Sequence, residues 1–412
     1  MITQLKNIAQ VFTGTTPPTN EQRYYESEDI EWFSPGDIMS DNINIKESNR
    51  KISKLYFQEK NFHPFPQESV LMVGIGATVG KVAYSDSVCW SNQQINVIVF
   101  DKKKILPKFG AYQLLNKGRE ISKKTPVVTL QIFNQSKVRQ IELWVPSLET
   151  QQRMVTYLDT KLSEISHQVS LLTSKRDAYL RLKKSIINHA VTHGLNPNVK
   201  MKDSGIEWIG EVPEHWEVKR FKDIFTKWTT GITPDSKNTS YFEYDSNKGF
   251  TWVTISDLTE KYVNQSDINL SDKSLKHFVP PITHKGSLMF SFKLSVGKLA
   301  FANKDLYTNE AIASILPNSK QCLDYHYYIL PMVLYNNATE NIYGAKMLNQ
   351  KKIANMQMIV PPLPEQHAIA TYLDDKCAKI DTIVSNLDKQ ISRYADLKRA
   401  LIDEVITGKR AV

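Results

Sequence analysis

Apolar residues recur at alternating steps of four and three at Leu158, Leu162, Ile165, Val169, Leu172, Tyr179, Ile186 and Ala190. The same rhythm returns at Leu373, Cys377, Ile380, Val384, Leu387, Ile391, Tyr394, Leu401 and Val405. Heptad spacing held this long predicts two long helices packed along a seam, not ordinary surface helices. Arg176, Lys183 and Lys398 interrupt the stripe, where long aliphatic stems can lie on an apolar face and carry charge to its edge. Proline marks the approach to each helix, in Val145-Pro146-Ser147-Leu148 and Val360-Pro361-Pro362-Leu363-Pro364. Gly194 and Gly408 stand where each helix should stop. A helix over 151–190 would be about 60 Å long at ~1.5 Å per residue, and such a helix needs a partner.

The natural partner is the other helix, because the two are copies. Residues 145–192 match 360–407 at a constant offset of 215, with 18 identities in 48 positions; chance composition would give roughly three. Gln151/Gln366, Tyr157/Tyr372, Asp159/Asp374, Lys183/Lys398 and Ile187/Ile402 are among them. Two copies of one long element imply two equivalent half-molecules. Antiparallel packing would relate the halves by a pseudo-twofold axis and carry the intervening segments to opposite ends of a rod. A coiled coil that only dimerises the protein is the plainer alternative.

Those intervening segments mix short alternating runs, turn residues and aromatics, and they echo each other. The run from Val70-Leu71-Met72 to Val79-Gly80-Lys81-Val82-Ala83-Tyr84 parallels that from Ser287-Leu288-Met289 to Val296-Gly297-Lys298-Leu299-Ala300-Phe301. Ser91-Asn92-Gln93-Gln94-Ile95 parallels Thr308-Asn309-Glu310-Ala311-Ile312, and Thr13-Gly14-Thr15-Thr16-Pro17 parallels Thr230-Gly231-Ile232-Thr233-Pro234. Trp32-Phe33-Ser34 resembles Trp252-Val253-Thr254 in the same way. The expected fold class is α+β: two α/β domains separated by two long α-helices forming an antiparallel coiled coil, a pseudo-twofold tandem repeat. The expected divisions are a first domain over 1–145, a helix over 146–195, a linker over 196–218, a second domain over 219–360 and a second helix over 361–412.

Composition sharpens this picture at a few points. A chain of 412 residues suits two to four domains. Its three cysteines, Cys89, Cys322 and Cys377, are too far apart for a C-x-x-C pair or a disulfide framework, which favours a reducing cytoplasm. No apolar run approaches bilayer length, and residues 1–12 lack a signal-peptide core, so no membrane role is expected. The net charge of +9 is unevenly placed: residues 1–145 carry +4 and 219–360 carry +5, while the repeated segments are neutral. A polyanion touching the two variable domains is the simplest reading, with ordinary surface variation as the alternative.

Asn and Gln can bond adenine edges bidentately, Lys can reach guanine or phosphate, and Ser or Thr can bond either. The candidate DNA contacts are therefore Thr15, Thr16, Ser34, Lys81, Asn92, Gln93 and Gln94 in the first domain. In the second they are Thr233, Lys237, Ser256, Lys293, Lys298, Asn309 and Glu310. The same residue types form turns and solvated surface, and Asn92 and Asn309, shared by both halves, favour a turn.

Readings that would make the chain an enzyme fail on spacing. Gly74-Ile75-Gly76-Ala77-Thr78-Val79-Gly80-Lys81 has Ile75 where a phosphate-cradling loop needs its first glycine and Val82 where it needs Ser or Thr. His189 and His193 could share a helical face, but Ala190 replaces the catalytic Glu of H-E-x-x-H and the second copy has Glu404 and Gly408. No G-x-S-x-G elbow and no N/D-P-P-Y/F tetrapeptide occurs, and Asp101-Lys102-Lys103 lacks a preceding Pro-Asp.

The order domain, long helix, domain, long helix, with Val-Pro-Ser-Leu-Glu-Thr-Gln-Gln from Val145 and Val-Pro-Pro-Leu-Pro-Glu-Gln-His from Val360, resembles the specificity subunits of type I restriction-modification systems. The junction Asp203-Ser204-Gly205-Ile206-Glu207-Trp208-Ile209-Gly210-Glu211-Val212-Pro213-Glu214-His215-Trp216 resembles that family's segment leading into a target-recognition domain. The likeness covers essentially the whole chain. One departure is that the first domain begins at Leu5-Lys6-Asn7-Ile8 without a copy of this junction, so the region near Gly408 is expected beside it in a circular arrangement.

The resemblance implies a non-catalytic subunit that gives an assembly its DNA address. Each target-recognition domain would read one half of a bipartite, asymmetric site in double-stranded DNA. Two modification subunits would methylate adenine N6 from S-adenosylmethionine. Restriction subunits, where present, would use ATP and Mg. No cofactor would be bound directly, and phage defence in the cytoplasm would be the setting. An adaptor whose domains bind proteins instead of DNA is the competing class.

Overall fold

The structure, a computed structural model, describes all residues except Glu28, 40–41, 125–131, 246–247 and 341–343. Two compact units emerge: Met1–Lys175 with Leu387–Val412, and Arg176–Asn386. Each unit therefore holds one variable domain, here called a head, plus part of both long helices.

In the first head a five-stranded sheet runs in the order Ala9–Thr13, Ile95–Phe100, Ser69–Val73, Val82–Ser85, Asn44–Ile45. Its pairs are antiparallel except the last, with Val70 opposite Ile98 and Tyr84, and Asn44 beside Tyr84. Val70, Met72, Val82 and Ile98 face the helix Pro107–Lys124 through Phe109, Tyr112 and Leu115. Leu71, Val73, Ala83 and Val97 face the other way, onto Trp32, Phe57 and Trp90. A central strand buried on both faces has no reason to alternate, which is why Ser69–Val73 reads as an unbroken apolar run.

The second head repeats the plan. Its sheet runs Trp228–Thr230, Ile312–Ile315, Leu288–Ser291, Leu299–Ala302, Tyr262–Val263, again with one parallel edge pair. Leu288 and Phe290 pack on the helix Leu323–Asn337, while Met289 joins Val253, Ala300 and Ile312 beneath the other face.

The long helices span Leu148–His193 and Leu363–Ile406. Gly194 and Gly408 end them with φ of +74° and +72°, a backbone conformation that glycine adopts without steric cost. The helices pair antiparallel within each unit. In the first unit Lys398 Nζ donates to Ser166 Oγ at 2.8 Å, and Leu158, Ile165 and Leu401 share one buried cluster. In the second, Lys183 Nζ bonds Asp381 Oδ1 at 2.6 Å beside Leu373 and Cys377. All predicted seam residues, Leu158, Leu162, Ile165, Val169, Leu172 and Tyr179 with Leu373, Ile380, Val384, Leu387, Ile391 and Tyr394, are buried or half-buried.

The segment expected as a linker is built into the second unit. Met201–Asp203 and Glu211–Pro213 form an antiparallel hairpin. Trp216 is fully buried, and its Nε1 donates to Glu365 Oε2 at 3.0 Å. In the first unit Ile2–Gln4 pairs with Glu142–Trp144, and a Cβ on Gly408 would lie 3.2 Å from the Trp144 ring, so residues near Gly408 share that unit with the first head.

Candidate nucleic-acid interface

The repeated sequence motifs first build a joint between head and helix. Gln151 and Gln366, buried at the start of each long helix, each donate Nε2 to the carbonyl of a leading proline, Pro146 or Pro361, at 2.9 Å. Their Oε1 atoms accept the backbone N–H of Leu106 at 2.8 Å and of Cys322 at 2.9 Å, from the loop entering each head's packing helix. Two turns on, Asp159 and Asp374 accept phenol hydroxyls from Tyr112 at 2.7 Å and Tyr328 at 2.6 Å. Burial, then the carboxylate bond, pushes both phenol pKa values well up, so each remains a donor. The cation on each aspartate comes from a different place, Lys108 in one head and Lys261 in the other, both at 2.7 Å. Burial opposes the Lys261 charge, but bonds to Asp374 and Asp324 outweigh it and hold its pKa above the ordinary value.

At the far end of each sheet, three loops meet in a polar rim. The first is the Thr-Gly turn. A Cβ on Gly14 would lie 1.9 Å from the carbonyl oxygen of Ser91, and on Gly231 1.8 Å from that of Thr308, so glycine lets the two loops touch. Trp32 Nε1 donates to Thr15 O at 3.1 Å, and Trp252 Nε1 to Ile232 O at 3.0 Å, pinning the same turn from beneath. Next comes the Asn turn. Asn92 Oδ1 accepts Gln94 N at 3.0 Å and Asn309 Oδ1 accepts Ala311 N at 3.2 Å, so both asparagines form the expected turn. The backbone of each is tied to the Trp strand, Asn92 N to Phe33 O and Asn309 N to Val253 O, both at 3.0 Å.

On this frame the predicted site residues divide. Thr16 Oγ1 donates to exposed Gln93 Oε1 at 2.6 Å, and Thr233 Oγ1 donates to exposed Glu310 Oε2. These two pairs are brought together, at matching places. Gln94 lies next to Gln93 but spends Oε1 on Asn92 Nδ2 at 3.0 Å. Thr15 turns inward to Tyr56 Oη at 2.7 Å, and its counterpart Ile232 carries no hydroxyl. Ser34 Oγ donates to Asp37 Oδ2 at 2.7 Å, as Thr254 Oγ1 does to Asp257 Oδ2 at 2.9 Å, and Ser256 Oγ sits 2.7 Å from Thr254 Oγ1. Lys81 Nζ donates to Ile38 O at 3.0 Å and Lys298 Nζ to Ile255 O at 3.4 Å, so each lysine braces the loop beyond the Trp strand. Lys237 is exposed, and Lys293 is half-buried with its Nζ 5.5 Å from the Phe292 ring centroid.

The third loop was missed. Asn134 and Asn349 cap the short helices Gln135–Arg139 and Gln350–Asn355. The following glutamines reach Thr13 Oγ1 at 2.7 Å and Thr230 Oγ1 at 3.0 Å. In the first head, Gln93, Gln135 and Arg139 line a groove of about 390 Å³. The signal was present: Asn134-Gln135 and Asn349-Gln350 stand at the offset of 215, just ahead of the repeated block.

Other chemistry finds structural explanations. A Cβ on Gly80 would lie 2.3 Å from Gly118 O, so the glycine-rich run serves close packing against the helix Pro107–Lys124. His189 and His193 stack at 4.8 Å, and among the described residues no group of three or more His, Cys, Asp or Glu could hold a metal ion. Among the described residues no helix is long and apolar enough to cross a membrane. A cleft of about 1150 Å³ in the second unit lies between the long helices and the head, lined by Lys183, Lys261, Tyr327 and Asp381 and by none of the rim residues.

Comparison with known proteins bears on this geometry. A family profile described as "Type I restriction modification DNA specificity domain" matches residues 1–170 and 213–393. The chain is 28% identical over 188 residues to the type I restriction enzyme MjaIX specificity subunit of Methanocaldococcus jannaschii, covering 44% of this chain and 41% of that protein. It is 19% identical over 366 residues to the EcoBI specificity subunit of Escherichia coli, covering 84% and 74%. A solved chain from work on complex assembly and conformational transition of the type I R-M system superposes with a TM-score of 0.75 at 15% identity, over 98% of this chain and 97% of the other. The HsdS subunit of Thermoanaerobacter tengcongensis does so with 0.53 at 16%, over 100% and 97%. At these identities the superpositions establish the fold.

Proposed function

The chain belongs to the type I restriction-modification DNA specificity family, and from that premise we propose that it is a non-catalytic subunit whose two heads each read one half of a bipartite, asymmetric site in double-stranded DNA. One observation carries this reading: the two rims share a hydrogen-bonded frame but differ in the outward side chain it presents, Gln93 against Glu310. A constant frame with changed chemistry is what reading two different short sequences requires. The positive excess of both variable segments supplies sequence-independent attraction to phosphate.

The proposed contacts are the rim residues Thr16, Gln93, Gln94 and Gln135 with Thr233, Lys237, Glu310 and Gln350. Lys81, Lys298, Asn92 and Asn309 act by holding the loops that carry them. The domain divisions proposed are two target-recognition heads with the long helices as spacers that set the unread gap. Methylation with S-adenosylmethionine, and ATP- and Mg-dependent cleavage where restriction subunits are present, reside in partner subunits in the cytoplasm. Two copies of the modification subunit are supported by Leu182 and Leu397, the same repeat position, each 47% exposed off the seam. An apolar side chain kept in both copies yet left in solvent suits two equivalent docking points.

The decisive experiment co-expresses the chain with its neighbouring modification subunit and maps methyladenine across the host genome. A recurring split motif is expected. Methylation without any two-part motif, or no enrichment from a random duplex library, would refute the reading in favour of a protein-binding adaptor.

A further inference from the structure

Resting on that DNA-reading role, we infer that Gln93 and Glu310 are the specificity-determining side chains at one matching step of the two half-sites. Gln93 selects adenine, and Glu310 selects cytosine. Both side chains are exposed, both stand on the Asn turn, and both are held by a threonine 77 residues earlier. The turn beneath is tied to the Trp strand in each head, so the side chains are presented from a fixed platform.

The threonine bond decides what each side chain offers outward. In Gln93 the hydroxyl occupies Oε1, which leaves both Nε2 hydrogens and one oxygen lone pair. Donor beside acceptor is the complement of adenine's N7 and N6 amino group in the major groove. In Glu310 the hydroxyl occupies Oε2, which leaves an oxygen that can only accept. It matches the N4 amino group of cytosine. It repels the N7 and O6 acceptors of guanine and the O4 of thymine, and adenine's N7 beside its amino group counts against it too. A carboxylate facing a polyanion is unfavourable wherever no donor meets it, so it excludes wrong bases as well as attracting the right one. Glu310 lies in a segment whose net charge is +5.

The test uses the full assembly, this chain with its modification subunit, and selection from a random duplex library. Wild type, Glu310→Gln and Gln93→Glu are compared. Both exchanges keep an oxygen for the threonine hydroxyl, and a melting temperature within about 2 °C of wild type is expected for surface changes of this kind. Glu310→Gln should convert one cytosine of one half-site to adenine, with discrimination changing about tenfold, and Gln93→Glu should do the reverse in the other half. Thr233→Val, which frees the carboxylate, should broaden preference at the same position only. An unchanged motif in both exchanges, or equal weakening on all sequences, would overturn the inference and leave a loop staple. A different wild-type base at the responding position would overturn the base assignment. A wild-type assembly that enriches no two-part motif would instead defeat the DNA-reading role itself.

Discussion

Gln151 and Gln366 show how a single buried amide can be worth preserving in both halves of a chain. Each links a proline carbonyl, a loop N–H and the first turn of a long helix. Replacing Gln366 with Leu keeps the volume but strands the Cys322 N–H and the Pro361 carbonyl. An unsatisfied buried group costs ~1–3 kcal/mol. Urea titration of the Gln366→Leu chain should therefore show a second-unit transition lowered by about that amount, and an unshifted curve would mean the amide is replaceable. Glycine gives a second contrast at this scale. Gly80 and Gly76 both have φ above +80°, but a Cβ on Gly80 would meet Gly118 O at 2.3 Å, while on Gly76 nothing lies within 4 Å. Gly76→Ala should cost only the backbone strain of about 1 kcal/mol, and Gly80→Ala clearly more, by thermal melting. Equal losses would contradict the packing explanation of this run. The glycine spacing was visible in the sequence; that Gly118 sits opposite was not, because two backbones approaching across 38 residues leave no local pattern.

At the scale of elements, the heptads made both long helices legible from their periodicity alone, since one face must be apolar wherever two helices touch. The hairpin Met201–Asp203 with Glu211–Pro213 was not legible as structure, because the segment read as a linker; the burial of Ile206, Val212 and Trp216 reveals its packing. The rim was half legible. Its Thr-Gly and Asn turns repeat recognisably, whereas Gln135 and Gln350 lie on helices of five and six residues that no periodicity can announce. Among the proposed contacts, sequence could name polar residues but could not tell Gln93, which faces solvent, from Asn92, which is 8% exposed and committed to its own turn. Off the seam, Leu182 and Leu397 carry a prediction. Leu182→Glu should leave the chain's own stability within about 0.5 kcal/mol, as expected of an exposed position, yet reduce the modification subunit bound per chain in native mass spectrometry. Full uptake by the double Leu182→Glu, Leu397→Glu variant would exclude these positions as docking points.

For the whole molecule, the division into two compact units is informative because neither unit owns a complete long helix. Each takes a head, one part of the first helix and one part of the second. The helices are thus the only covalent route by which seam length can influence both heads together, and this is the physical content of the proposed ruler. It makes a quantitative forecast. Removing one heptad from each helix, at matching seam positions, keeps the a and d residues in phase, because seven residues are two coiled-coil turns. It shortens each helix by ~10.5 Å at about 1.5 Å per residue, which corresponds to roughly three base pairs at ~3.4 Å each. Methyladenine mapping of the shortened assembly should return both original half-sites with the unread gap reduced by about that number. A deletion in one helix alone would throw its seam out of register and should cost assembly instead. If the paired deletion retained full activity and the original gap, the helices would hold the heads together without measuring anything, and the spacing would have to be set by the partner subunits.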